Sequence, residues 1–187
     1  MLFRHPARVF EPSAPVADAV PLNDMAEHLR VDASDEYYLI GVYTQAAAAI
    51  VEARTQRLLT ARTCVLRLPC LPSDMTAVEL PGGYVSAVAS VVVDGVTVSP
   101  SAYAVAGHSP ARLMPLAAWP VVVGEGLPVV ITYTAGYATT PHALRMAVML
   151  IAAELFEQRR DASEANLTEV PVSARYLMEP FAIRAIG

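Results

Sequence analysis

The sequence predicts an α+β protein: a helical bundle, made of a helical hairpin and a third long helix, with a small β-rich domain inserted between the second and third helices. Three observations carry this. Residues 21–59 read as a short helix, an acidic break and a long helix, and from Tyr37 to Val51 there is no Asp, Glu, Lys or Arg. From Arg62 to Tyr137 the chain is rich in Val, Thr and Tyr, with Pro and Gly at short intervals, the mark of several short strands. After Tyr137 a helical period returns, with Leu144, Val148, Ile151 and Leu155 on one stripe and Met146, Met149, Ala153 and Phe156 on another.

The elements follow in order. Residues 1–20, rich in Pro, Ala and Val without a period, read as a flexible N-terminal arm. The helical hairpin occupies 21–60. Asn23 is placed to cap a short helix through Leu29, and Arg30 to Ser34 break it. Ser34 then caps a second helix with Asp35 and Glu36 in its first turn, running to about Thr55, roughly 31 Å at 1.5 Å per residue. Leu39, Val42, Ala46, Ala49 and Ala53 share a stripe of it. A helix this apolar all round has to be covered on every side, either by its own domain or by another subunit. Ala46 to Ala49 form a narrow patch where another backbone can approach.

The β-rich insertion occupies 61–137, with strands expected at Thr63–Leu68, Ala77–Leu80, Val85–Val93, Ala102–Val105, Arg112–Met114 and Val129–Thr134. Asp94-Gly95, between two Val-rich runs, signals a two-residue hairpin turn that needs positive φ. The third long helix takes 138–160, with Thr140 as N-cap and Pro141 as first helical residue. Residues 161–187 are a linker and C-terminal tail, with a last helical turn over Ser173–Phe181 stopped by Pro180.

Composition narrows the function. Over 187 residues the hydrophobic fraction is 55% and the charged fraction 17%, against roughly 25% in an ordinary soluble domain. A surface so poor in charge favours coverage by partners. The net charge of −5 argues against a dedicated nucleic-acid binder, which shows a basic balance or stripe. No apolar run reaches the roughly 18 residues of a membrane span. The start MLFRHPARVFEP lacks a signal-peptide core, so an intracellular protein is expected.

Residues for chemistry are sparse. His5, His28, His108 and His142 are scattered, and the glycines match neither a P-loop nor a dinucleotide fingerprint. Asp32, Asp35 and Glu36 are explained by a helix start without a metal. Cys64 and Cys70 stand about 20 Å apart if their segment is extended, beyond disulfide reach, and read as buried thiols. No catalytic, cofactor or metal residue is assigned, and the chain is not expected to be an enzyme.

Three segments, in order, resemble the head–tail connector (adaptor or head-completion) proteins of tailed phages, prophages and gene transfer agents. The opening PLNDMAEHLRVDASDEYYLIGVYTQAAAAIVEARTQRLL is similar to that family's Leu-x-x-x-x-x-His-Leu-Arg-(Val/Leu)-Asp start, acidic break and Ala-rich helix, with His28, Leu29, Arg30, Val31 and Asp32 matching as they stand. The central LPGGYVSAVASVVVDG is similar to its Leu-Pro, Val-x-Ser-Val and Asp-Gly strand pair. VVITYTAGYATTPHALRMAVMLIAAELFEQRR looks like its strand, Ala-Gly-Tyr turn and Pro-started helix. The family usually has Pro where Gly82-Gly83 precede Tyr84-Val85, and the tail RYLMEPFAIR matches only loosely.

The resemblance implies a structural virion protein. It would form a ring, commonly dodecameric, docked on a portal protein and joined to the tail or a downstream stopper. DNA would pass through its lumen without sequence-specific binding. The place implied is the head–tail junction of the virion, with the host cytoplasm during assembly and no membrane. Subunit or portal contacts are expected at Tyr38, Val42, Ala46, Ala49 and Ile50 on the long helix and at Tyr176, Leu177 and Phe181 on the tail. Two readings of other classes stand beside it: a small hydrolase or carbohydrate-modifying enzyme with a site around His108 and Trp119, and a binding or adhesin module using the β-rich domain.

Overall fold

A computed structural model of the chain describes residues 2–15, 18–32, 36–107, 110–158 and 170–183. It is an α+β protein that divides into two compact units, one of residues 1–16 with 61–136 and one of residues 17–60 with 137–187.

The first unit is all β. Its strands are β1 (Leu2–Phe3), β2 (Val9–Pro12), β3 (Arg62–Leu68), β4 (Ala77–Leu80), β5 (Val85–Val93), β6 (Val96–Thr97), β7 (Tyr103–Ala106), β8 (Ala111–Pro115) and β9 (Val129–Ala135). They form a four-stranded sheet ordered β1-β4-β8-β7 and a five-stranded sheet ordered β2-β3-β9-β5-β6. Every pairing is antiparallel except β1 with β4. The period-two pattern sets which side chains go inside. On β9, Val129, Ile131, Tyr133 and Ala135 are buried, and the register places Leu68, Leu66 and Cys64 of β3 opposite Val129, Ile131 and Tyr133. Asp94 and Gly95 join β5 to β6 with φ of 50° and 79°, the left-handed pair that a two-residue hairpin requires.

The second unit is helical: α1 (Leu22–Leu29), α2 (Tyr37–Thr55), α3 (His142–Gln158) and α4 (Val172–Met178), the last followed by a 3-10 turn at Glu179–Phe181. Its core joins Met25 of α1, Ile40, Ala47 and Val51 of α2, Leu144, Val148 and Ile151 of α3, and Ala174 and Met178 of α4. Tyr43 meets Phe156 edge-on, with ring centroids 6.2 Å apart. An Arg145–Asp24 ion pair links α3 to α1.

Several expectations need correction. Residues 2–3 and 9–12, expected in a flexible arm, are strands. The cause lies partly in Glu79 of β4, which is buried and accepts two hydrogen bonds of 2.7 Å from the Arg4 guanidinium, with Arg8 Nη1 at 3.7 Å. A buried carboxylate needs a counterion, and the leader supplies it while Val9–Pro12 adds a strand to β3. The cap of α1 is Pro21, whose carbonyl accepts from the Met25 amide, and not Asn23. The first carbonyl of α3 is that of Pro141, which accepts from Arg145, while Thr140 donates its hydroxyl to Leu59 O at 2.8 Å. α2 starts at Tyr37 behind Glu36, and Ser34 lies outside the described residues. Cys64 is buried and Cys70 half-buried, and neither is in a disulfide.

Candidate assembly surface

α2 decides the site. Its inner face is Ile40, Thr44, Ala47, Val51 and Thr55. The two threonines fit there because each hydroxyl donates to the carbonyl four residues back, at 2.7 Å, leaving no polar atom unpaired. The outer face is Tyr38, Leu39, Val42, Gln45, Ala46, Ala49 and Ala53, all exposed and all uncharged. Positions 38, 42, 46, 49 and 53 advance by four, four, three and four, so they stay on one side of a helix of 3.6 residues per turn. At its centre the small side chains of Ala46 and Ala49 leave a shallow strip, bordered by Tyr38, which is 79% exposed.

The residues expected at contacts therefore separate. Tyr38, Val42, Ala46 and Ala49 lie on the exposed face of α2, and Tyr176 on α4 is 71% exposed. Ile50, Leu177 and Phe181 are half-buried and pack against the core of their own unit. The tail is fastened to the end of α2: Arg57 donates to the Phe181 carbonyl and to the Tyr137 hydroxyl, and the Ile183 amide donates to Thr55 O at 3.1 Å.

Between the last turn of α2 and α4 lies an open cavity of about 530 Å³, lined by Arg54, Val172, Arg175, Tyr176, Met178, Glu179 and Ala182. Sequence reasoning missed Arg54 and Arg175. The one local signal was a basic residue in the last turn of each helix, where the negative end of the helix favours it.

The β unit has its own exposed apolar segment. Residues 116–128 connect β8 to β9 and expose Leu116, Val121 and Val123, Val121 to 83%. They are held by Asp94, whose carboxylate accepts from the Val123 and Gly124 amides at 2.9 Å each, while its own amide donates to Pro128 O at 3.1 Å. Trp119 is buried, and its indole N–H has no partner among the described residues. His108, the other residue of the enzyme reading, lies outside the described residues. Among the described residues no group of three or more His, Cys, Asp or Glu is placed to hold a metal ion, and no helix is long and apolar enough to cross a membrane.

Solved structures match this architecture along nearly its whole length. A chain in the neck of an empty gene transfer agent particle, computed with C6 symmetry, superposes with a TM-score of 0.79 at 24% identity, covering 96% of this chain and 98% of that one. A chain in the virion of a native gene transfer agent particle gives 0.76 at 25% identity, over 95% and 97%. The neck of a native particle, computed with C12 symmetry, contributes a chain at 0.75 and 23% identity, over 96% and 98%. This is the fold of a gene transfer agent neck chain. The likeness to these neck chains includes both the helical and the β unit, since only 4% of this chain falls outside the first alignment. No family model matches the sequence, and no curated protein matches it either.

Proposed function

We propose that the protein is a structural virion component, the head–tail connector of a gene transfer agent or tailed-phage particle. The observation that carries this is the end-to-end likeness to chains of gene transfer agent necks and virions, at TM-scores of 0.75 to 0.79. Those necks were computed with C6 and C12 symmetry, and a symmetric ring is the role given to this chain. It docks on the portal, joins the DNA-filled head to the tail or the next connector component, and resides at the head–tail junction of the virion. The role is not enzymatic. The hydrolase and adhesin readings gain no support from these likenesses.

The architecture suits the task. The helices of 22–29, 37–55, 142–158 and 172–178 form one bundle, and the β domain is inserted between its second and third helices and completed by the leader strands; the division into two compact units supports that reading. Tyr38, Val42, Ala46, Ala49 and Tyr176 make the subunit or portal contact, and Ile50, Leu177 and Phe181 back it from the core side. Ring closure needs two different faces of one subunit to meet. An acidic protein lining a channel lets DNA slide, because gripping phosphate takes Lys and Arg.

Two adjacent substitutions test it. Ala46→Glu puts a charge on the exposed face, and burying that charge in a subunit contact costs several kcal/mol. The monomer should keep its circular dichroism and melting temperature but fail to enter rings or particles, as read by mass measurement and particle reconstitution. Ala47→Glu, at a position with 0% exposure, should unfold the helical unit instead. Incorporation of Ala46→Glu into particles at the wild-type level would overturn the assigned surface.

A further inference from the structure

Each end of α2 carries charge that finds no partner among the described residues. At the α1–α2 corner, Glu27 and Asp32 are exposed and make no side-chain hydrogen bond or ion pair among the described residues. Glu36 has a partner of its own and Asp35 lies outside the described residues, so the acidic character of the corner rests on Glu27 and Asp32. At the far end Arg54 is exposed and likewise unpaired among the described residues. It borders the open cavity of about 530 Å³ with Val172, Arg175, Tyr176, Met178 and Glu179. Arg175 and Glu179 have partners of their own, so among the described residues that line the cavity Arg54 is the cation left over.

The two ends cannot neutralise each other within one copy. α2 has 19 residues, about 28 Å at 1.5 Å per residue, well beyond the roughly 8–10 Å over which exposed charges act in physiological salt. The outer face between them is uncharged and runs from Tyr38 to Ala53, beside Arg54 and the cavity. The acidic corner and the basic cavity therefore sit on one unit of one chain, joined by an apolar strip, and complement each other only between copies.

We infer that the Arg54 cavity receives the acidic α1–α2 corner of a second copy of this chain, Glu27 and Asp32 facing Arg54, with Tyr176 and Val172 covered by the contact. The occupant is a second copy because both complementary surfaces belong to the same unit. The contact is heterologous, as closure of a ring demands, and α2 then lies inclined across the ring wall so that its first turn in one copy meets its last turn in the next. The inference rests on the ring reading above and deepens it, naming the pair of charges that sets the register between neighbours.

Charge reversal in the full chain tests it, with self-association followed by sedimentation and mass photometry. The wild type should associate, and less so as salt rises. Arg54→Glu and Asp32→Arg, both at exposed positions, should each stay folded and associate about tenfold more weakly. Mixing the two variants should restore association, because each supplies the surface the other lacks. Arg54→Lys should behave nearly as the wild type. Failure of the mixture to recover, unaltered association of the single variants, or a wild type that never associates at low salt would each overturn the inference. The connector reading is tested separately by entry of Ala46→Glu into particles. If that substitution blocks entry while Arg54→Glu has no effect, the ring stands and this contact does not.

Discussion

Glu79 and Tyr133 show how single residues hold the β unit closed. Glu79 is 5% exposed and bound by two hydrogen bonds to Arg4, so removing its carboxylate strands a guanidinium and detaches the leader. Glu79→Ala should cost about 2 kcal/mol, less than a fully buried pair because Arg4 is partly in solvent. Urea unfolding measures the loss, and amide exchange at Val9–Glu11 should rise with it. Tyr133 donates its hydroxyl to Pro81 O at 2.9 Å, and burial, with Cys64 nearby, pushes its phenol well above the usual tyrosine range. A raised folded pKa gives stability that is complete below the unfolded value near 10 and is lost as pH climbs past it. Above about pH 10 the unfolding free energy should fall by about 1.4 kcal/mol per pH unit from this group. Tyr133→Phe should flatten that slope in urea titrations across alkaline pH, and an unchanged slope would count against it.

On the scale of elements, the β5–β6 hairpin does more than reverse the chain. The Asp94-Gly95 turn is legible in sequence because a two-residue hairpin demands left-handed backbone at both positions. Its second task is not legible. The Asp94 carboxylate reaches residues 123 and 124, and where that segment passes is set by the β8–β9 connection rather than by neighbours in sequence. Asp94→Ala should cost about 1–3 kcal/mol for the two amides it abandons, with faster exchange at Val123 and Gly124 as the specific readout. Gly124→Ala should disturb the same segment, since a Cβ there would lie 2.4 Å from Asp94 Oδ1 and 3.0 Å from Pro128 Cβ. The strand in the leader is hidden from sequence for a similar reason. Val9–Pro12 is short and contains Pro, and it is a strand because β3 offers it an edge and Glu79 anchors the arginines before it.

For the whole molecule, the order of elements and the compositional poverty in charge were open to reading from the sequence. Six strands were expected near their observed bounds, since Val-rich alternation and Pro/Gly punctuation are local signals. The helices were legible too, because a 3.6-residue period needs no knowledge of partners. What the sequence could not decide was the direction α2 faces. With no charged residue from Tyr37 to Val51, the helix carries no polar stripe to mark its outside. Ile40, Ala47 and Val51 are buried, and Tyr38, Val42, Ala46 and Ala49 exposed, because α1, α3 and α4 pack on one side of it. The pairing of Arg54 with the tail cavity is hidden for the same reason. The sequence by itself determined which segments are helix and strand, because those preferences are settled within a few residues. Only the tertiary structure decided which apolar surface is core and which is left for a neighbour, because burial belongs to the packing of distant segments.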